Sequence, residues 1–410
     1  MTSADSRGRA AVPWLFVLAL LLAALNFRAP FVGVSVVADE VRSALDVTSG
    51  EVGLLTSLPA LCFGVAAPLA LLVMRRCGAE MALAIGLGGV IAGVLLRSAG
   101  GFPAALAGTL LIGVAITVGN IVVPVLIRRR TPTSEVGMVT GAYTVSLNVG
   151  SMGVLVSTGP LVAATGWQVG LLAPALVCVV AFAVWWRVGV RPLAAAAVVP
   201  TAEPAPETGP VEPPKPLWRE PVVVLLTLAF AGQAASYYSL TAWLPSVLAD
   251  DAGTGAGATA VLSGFFQISA VLGAIGVPLL SRWAPEWIAI ALVGALWMTF
   301  PIILLVAPEA HLVGIVLGGA AQGGGFAAIF TIVARVARSD RESAGMSTIV
   351  QGGGYTVAAI GPALMGAIHD VTGTWTAPLL VTVASTATMA VAGTAAAVSA
   401  RRRTDRGPSA

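Results

Sequence analysis

Long apolar runs separated by short polar, glycine or proline breaks fill almost the whole chain. A helix needs roughly 20 apolar residues to cross the hydrocarbon core of a bilayer. The runs predict twelve such helices, at approximately 12–37, 51–74, 79–97, 103–127, 135–163, 168–187, 220–248, 258–281, 286–306, 311–334, 342–368 and 375–400. The first run follows Arg7 and Arg9 and continues past Arg28 to about Val37. That is too long for the apolar region of a cleaved signal peptide, so it reads as a membrane helix. Between the sixth and seventh runs the pattern fails. "RPLAAAAVVPTAEPAPETGPVEPPKPLWRE" is rich in Pro, Ala and Glu and cannot build a core, so it reads as an extended linker. The expected organisation is a tail (1–11), a six-helix bundle (12–187), a linker (188–219), a second six-helix bundle (220–400) and a basic tail (401–410).

Composition agrees with the pattern. The chain is 57% hydrophobic and 10% charged, where soluble domains carry about 25% charged residues. Charge then orients the helices. With the N-terminus inside, 19 of the 22 Lys and Arg fall in cytoplasmic segments, as positively charged inner loops require. Only Arg42 and Arg97 fall outside, and Arg28 lies in the membrane. The reading is an all-α, multi-pass protein of the cytoplasmic (inner) membrane with both termini cytoplasmic. The net charge of +3 sits at loops, so no nucleic-acid partner is expected. Cys62, Cys77 and Cys178 are odd in number and lie in or beside apolar spans, with no disulfide framework or metal spacing.

The halves resemble each other weakly. "VGMVTGAYTV" with "ATGWQ" parallels "AGMSTIVQGG" with "VTGTW"; Gly137 and Trp167 keep the spacing of Gly345 and Trp375. The fourth and tenth helices both end in arginines. Two parallel six-helix repeats, related by a pseudo-two-fold axis and joined by a linker, are the layout of a major facilitator transporter, whose site lies between the halves near the midplane.

Four stretches carry a more specific likeness: "LNFRAP" in the first helix, "GLLTSLPALCFGVAAPLA" (53–70) in the second, "GNIVVPVLIRR" (119–129) followed by "GMVTGAYT", and "YYSLTAWLPSVL" (237–248) in the seventh. Together they resemble the cyanate and 2-nitroimidazole porter family of the major facilitator superfamily. The resemblance covers nearly the whole chain apart from the linker and tails. It implies transport of a small molecule by alternating access without fixing the substrate. It also implies a gating role for the loop after the second helix and the end of the fourth, here Arg75, Arg76, Gly78, Arg128 and Arg129. The chain departs from the family pattern in two places: Ala29 precedes Pro30, and "MRRCG" puts Arg75 where the superfamily element carries aspartate.

The candidate chemistry is sparse. Asp and Glu fall in loops, tails or helix ends, and His311 and His369 lie in predicted outer loops, where solvation is the simple reading. Arg28 is the fixed charge near the membrane centre, with no acidic partner at its depth. A guanidinium cannot shed its proton, and a charge at mid-bilayer costs about 2.5–3.5 kcal/mol on insertion scales. Two readings follow. Arg28 bonds backbone carbonyls freed by Pro30, whose ring removes a helical hydrogen bond, or it receives the electronegative end of a substrate, which its planar fork suits. Asn26, beside it, would finish such a site or pack.

In the seventh helix Gln233, Tyr237 and Thr241 recur every four residues and share a face. With Tyr238 they are candidates for a cavity wall. "QGGGF" (322–326) and "QGGGY" (351–355) lack the Gly-Lys-Ser/Thr of a phosphate loop and read as close-packing glycines. Gln322, Gln351, Tyr355, Asn120, Tyr143, Asn148 and Gln267 are further candidates, for substrate contact or for bonds between helices. No paired carboxylates, nucleophile triad or nucleotide motif is present, so neither an enzyme nor a cofactor is expected. The expected partners are a small polar or anionic solute, the bilayer, and protons or a counter-transported anion, with the chain acting as a monomer. The rivals are a broad-specificity drug or metabolite exporter of the same fold and a non-transporting membrane receptor.

Overall fold

The computed structural model describes residues 14–132, 135–191, 217–337 and 339–405, and these are helical almost throughout, with no strand among them. The N-terminal tail, most of the linker and the end of the basic tail lie outside the described residues. In chain order the helices are α1 (Trp14–Leu45, interrupted at 25–28), α2 (Ser49–Val65 and Ala67–Cys77, bent by 63°), α3 (Ala79–Arg97), α4 (Phe102–Arg130), α5 (Val136–Thr165) and α6 (Trp167–Val190). After the linker come α7 (Pro221–Asp250), α8 (Ala256–Leu280), α9 (Glu286–Val306), α10 (His311–Val336), α11 (Asp340–Ala358 and Ile360–Thr372) and α12 (Thr376–Asp405).

Among the described residues ten of these are long and apolar enough to cross a membrane, and the bent α2 makes eleven. α11 is not among them. Its first segment, "DRESAGMSTIVQGGGYTVA", carries charges, hydroxyls and glycines where a lipid-facing helix carries aliphatics. The bend in α2 has a local cause: Pro68, in the first turn of the second segment, has no N–H to continue the ladder.

Short sequence signals fix several helix ends. "TSGE" opens α2 as a capping box: Glu51 N–H donates to Thr48 Oγ1 at 3.2 Å, and Thr48 N–H donates to Glu51 Oε2 at 2.8 Å. On the face where α1 begins and α12 ends, Glu80 at the start of α3 pairs with Arg130 at the end of α4 (2.7 Å). The second half repeats the device: Glu286 at the start of α9 pairs with Arg335 at the end of α10 (2.6 Å).

The halves meet along α2–α11 and α5–α8. Small residues permit the approach, as between membrane helices generally. A Cβ added to Gly53 would stand 2.7 Å from the Pro362 carbonyl oxygen and 2.8 Å from Ala363 Cα. On the opposite loop face, Asp370 of α11 accepts a hydrogen bond from the Gly50 N–H in the first turn of α2 at 3.1 Å. Here the partial positive charge of a helix N-terminus favours a carboxylate. Within the first half, Gly150 of α5 lies against the Leu25 carbonyl at the interruption of α1, where a side chain would collide.

Candidate functional site

The interruption of α1 begins with its sequence. Pro30 has no N–H for the carbonyl four residues earlier. The N–H groups of Asn26 and Phe27 turn instead to Ala23 and Ala24, three residues back, each at 3.1 Å. Arg28 then takes a non-helical conformation (φ −130°, ψ −34°) and starts the short helical turn Ala29–Val32, whose Phe31 and Val32 N–H groups both return to its carbonyl. The break turns the Arg28 side chain towards the junction of the two halves.

There Nη1 donates to Asn148 Oδ1 of α5 at 3.2 Å and to the Tyr237 hydroxyl of α7 at 3.4 Å. The guanidinium carbon lies 5.4 Å from the centre of the Tyr237 ring. Tyr237 in turn donates to Gln267 Oε1 of α8 at 3.2 Å, and Gln267 Nε2 donates to Thr241 Oγ1 at 3.4 Å. One polar chain therefore runs from α1 and α5 into α7 and α8, bridging the halves. Among the described residues no carboxylate pairs with Arg28. The charge is held by neutral groups alone.

Aromatic rings line the neighbourhood. Phe31 of α1 lies 6.0 Å from Tyr238 and 6.5 Å from Phe63 of α2, measured between centroids. Tyr355 of α11 meets Tyr238 at 6.3 Å, Phe63 at 5.4 Å and Phe230 at 4.9 Å. Most of these contacts are edge-on, the geometry aromatic pairs favour.

The remaining candidates fall elsewhere. Asn26 is buried and its Nδ2 returns to the Leu22 carbonyl of its own helix at 3.0 Å. Gln233 donates to the Gln322 backbone carbonyl at 2.8 Å, so these two join α7 to α10. Asn120 accepts from Tyr143 at 3.1 Å, joining α4 to α5. Gln351 is half-buried and its side chain makes no hydrogen bond among the described residues. On the face where α1 begins, Arg75, Arg76, Arg128 and Arg129 are exposed and make no ion pair among the described residues. Gly78 supplies the positive φ (80°) of the α2–α3 connection. Arg130, the next residue in the run, takes the ion pair.

Sequence reasoning missed one large feature. Arg97, expected outside, is 1% exposed at the end of α3. Its guanidinium donates to the Pro30 carbonyl just past Arg28, and to the Leu171 carbonyl of α6 at 3.4 Å. The first half thus holds a second cation, this one fully buried, against one carbonyl just past the break and one of α6. No spacing in the sequence connects Arg97 with Pro30. The Glu80–Arg130 and Glu286–Arg335 pairs do not align at the repeat spacing of Gly137 with Gly345, although both glutamates open the third helix of a half and both arginines lie at the end of the fourth.

Comparison with known proteins agrees with this architecture. The Major Facilitator Superfamily profile matches residues 16–308. A 2-nitroimidazole transporter of Escherichia coli (strain K12) is 32% identical over 373 residues, 89% of this chain and 91% of that protein. An uncharacterized transporter, YycB, of Bacillus subtilis (strain 168) is 28% identical over 392 residues, 93% of this chain and 92% of that one. In structure, the chain is similar to a bacterial homolog of the human lysosomal transporter Spinster in an inward-facing, occupied conformation: TM-score 0.71, 16% identity, 96% of this chain and 98% of that chain. It is also similar to a D-xylose–proton symporter: TM-score 0.71, 11% identity, 95% and 97% covered. At those identities the structural likeness concerns the fold alone.

Proposed function

The chain belongs to the Major Facilitator Superfamily, as a membrane transporter of small solutes and not an enzyme, and we propose that it binds a small anion or nitro-heterocycle at Arg28 and moves it by alternating access. The observation that carries the reading is a guanidinium held by two neutral side chains from opposite halves, Asn148 and Tyr237, with no carboxylate beside it among the described residues. A buried ion pair would compete with an incoming anion for the guanidinium. A hydroxyl at 3.4 Å competes weakly and yields to a cyanate or carboxylate oxygen, which brings a full negative charge to the guanidinium, or to a nitro group, whose two oxygens match its paired donors. Phe31, Phe63, Tyr238 and Tyr355 would then flank a planar ring. The name of the Escherichia coli relative supports the nitro-heterocycle class.

In this reading α11 is the twelfth crossing, its polar face turned to the other half instead of to lipid, and both termini are cytoplasmic in the inner membrane. The chain works as a monomer, with protons or a counter-transported anion as the coupled species. The α2–α11 contacts at Gly53 and Gly50 close the face opposite the termini. Rocking of one half on the other would break them and open the alternative access.

The test is thermal stabilisation of the purified protein by cyanate, benzoate and 2-nitroimidazole, comparing wild type with Arg28→Gln. A ligand at 100 times its dissociation constant stabilises by about 2.7 kcal/mol. Stabilisation of wild type alone, with the variant folded, supports the reading. Equal stabilisation of both makes Arg28 structural. The aromatic wall around Tyr355 would then favour an exporter of apolar compounds.

A further inference from the structure

The last turn of α6 departs from the α-helical pattern: the Arg191 N–H reaches back five residues, to the Trp186 carbonyl. Such widened turns are rare and gather at functional sites. Two tryptophans frame this one. Trp185 is fully buried, and its Nε1 donates to the Glu80 carbonyl of α3 at 2.9 Å. A Cβ at Gly189 would stand 2.7 Å from that ring, so a residue without a side chain is needed where the turn closes over it. Trp186 is turned outward instead and stacks on Phe182, with 5.7 Å between ring centres. Together with Ala183, Arg187 and Arg191, Phe182 and Trp186 line an open cavity of about 460 Å³. We propose that this cavity holds the headgroup of an anionic phospholipid.

Depth comes first. α6 is long and apolar enough to cross a bilayer, and its outward face is graded along the axis. Leu176 (71% exposed) and Val180 (55% exposed) present an apolar track. Trp186 follows, and tryptophan belongs at the boundary between headgroups and acyl chains. The exposed Arg187 and Arg191 come last. From Val180 to Arg187 is about 10 Å of helix. A phosphate at the two arginines therefore leaves an acyl chain free to run along Val180 and Leu176.

Charge selects the headgroup. Among the described residues two guanidiniums line the cavity and no carboxylate does. Neither the Arg187 nor the Arg191 side chain makes an ion pair or a hydrogen bond among those residues. The carboxylate at the start of α3, where Trp185 anchors this turn, is taken by Arg130 at 2.7 Å. Both positive charges therefore remain for a phosphate diester, which arginine matches with paired donors. A phosphatidylglycerol phosphate brings a full negative charge. Phosphatidylcholine brings its own ammonium, which the arginines repel. The site does not involve Arg28 and stands apart from the transport reading.

The experiment is native mass spectrometry of the full chain, purified and supplied with phosphatidylglycerol or phosphatidylcholine in matched amounts. The variants are Arg187→Gln with Arg191→Gln, Arg187→Lys with Arg191→Lys, and, as a control, Arg75→Gln with Arg76→Gln, which removes the same charge at the end of α2. Each arginine near an anionic surface contributes a factor of about five in affinity. The Arg187/Arg191 glutamine pair is therefore expected to lose phosphatidylglycerol adducts by an order of magnitude or more, while the lysine pair and the control keep them. Melting of each variant in phosphatidylcholine alone reports its folding. If the glutamine pair is unstable, Arg187→Gln alone takes its place, with a loss of about fivefold expected. Four results overturn the proposal. The first is equal retention of both lipids by wild type, and the second is unchanged phosphatidylglycerol adducts in a folded glutamine variant. The third is an equal loss in the control, which would mark general attraction to a basic face. The fourth is displacement of the lipid by millimolar inorganic phosphate, which would mark a free-anion site.

Discussion

α1 and α7 open their respective halves, yet α1 is interrupted at 25–28 while α7 runs unbroken from Pro221 to Asp250. α1 presents a cation to the junction and α7 presents a hydroxyl, from Tyr237, to the same point. The difference follows from what each group needs. A neutral hydroxyl is satisfied by one neighbour, and Gln267 supplies it without disturbing the helix. A guanidinium has five donors and tolerates depth in the bilayer only where several acceptors converge. The break in α1 turns the side chain to Asn148 and Tyr237, and Arg97 donates to the Pro30 carbonyl just past it. One half stores charge by interrupting a helix, and the other supplies neutral partners from an intact one.

The largest test of that contrast, after Arg28→Gln, is Arg97→Met. It removes the clamp on the broken helix and leaves the buried Pro30 carbonyl short of a partner, at an expected cost of about 1–3 kcal/mol in thermal or denaturant unfolding. Arg97→Lys should recover part of that loss, because an ammonium still donates. If Arg97→Met melts like wild type, the break in α1 holds itself and the second cation has another purpose.

Tyr237→Phe is the matching change in α7. It removes the hydroxyl shared by Arg28 and Gln267 and keeps the ring, so stability should fall by about 0.5–1.5 kcal/mol. Affinity for an anion at Arg28 should not fall, because the hydroxyl is the group an anion displaces. A drop as large as that of Arg28→Gln would show α7 contacting the substrate directly and would weaken the division of labour between the two helices.

The smallest effect lies just past the end of α7. Burial pushes the Asp251 carboxyl above the ordinary aspartate range, Asp250 adds to the shift and His369 opposes it. A group whose folded pKa is raised stabilises the fold below its unfolded pKa and loses that contribution as pH rises through the folded value. Asp251→Asn should therefore melt slightly higher than wild type at neutral pH. The difference should vanish in acid, where both side chains are neutral. A gain that persists unchanged at low pH would point to the amide's own contacts instead of to charge.

Much of this was legible along the chain. The spacing of apolar runs gave helix positions within a few residues for most elements, and Arg28 stood out as a cation within an apolar run; the break at 25–28 was not legible, since 12–37 reads as one continuous helix, and Arg28 bonds side chains instead of carbonyls freed by Pro30. Tyr237, Gln267 and Asn148 were already candidates, and they meet Arg28 as one polar chain. Gln233, Gln322 and Asn120 belonged to the same set on the same grounds, yet they bond between helices instead. A buried amide wants a partner, but its residue type does not say which.

By itself, then, the sequence determined an all-helical membrane chain and a cation within its first apolar run, because apolar length and a single charged residue are local properties. Only the tertiary structure decided that Arg97 is buried, that Arg130 and not Arg128 or Arg129 pairs with Glu80, and which amides reach Arg28. Those outcomes depend on how each helix is rotated about its axis and which neighbour it packs against. One residue of offset turns a side chain by about 100°, since a turn takes 3.6 residues, and partners more than a hundred residues apart share no local signal that would set that angle.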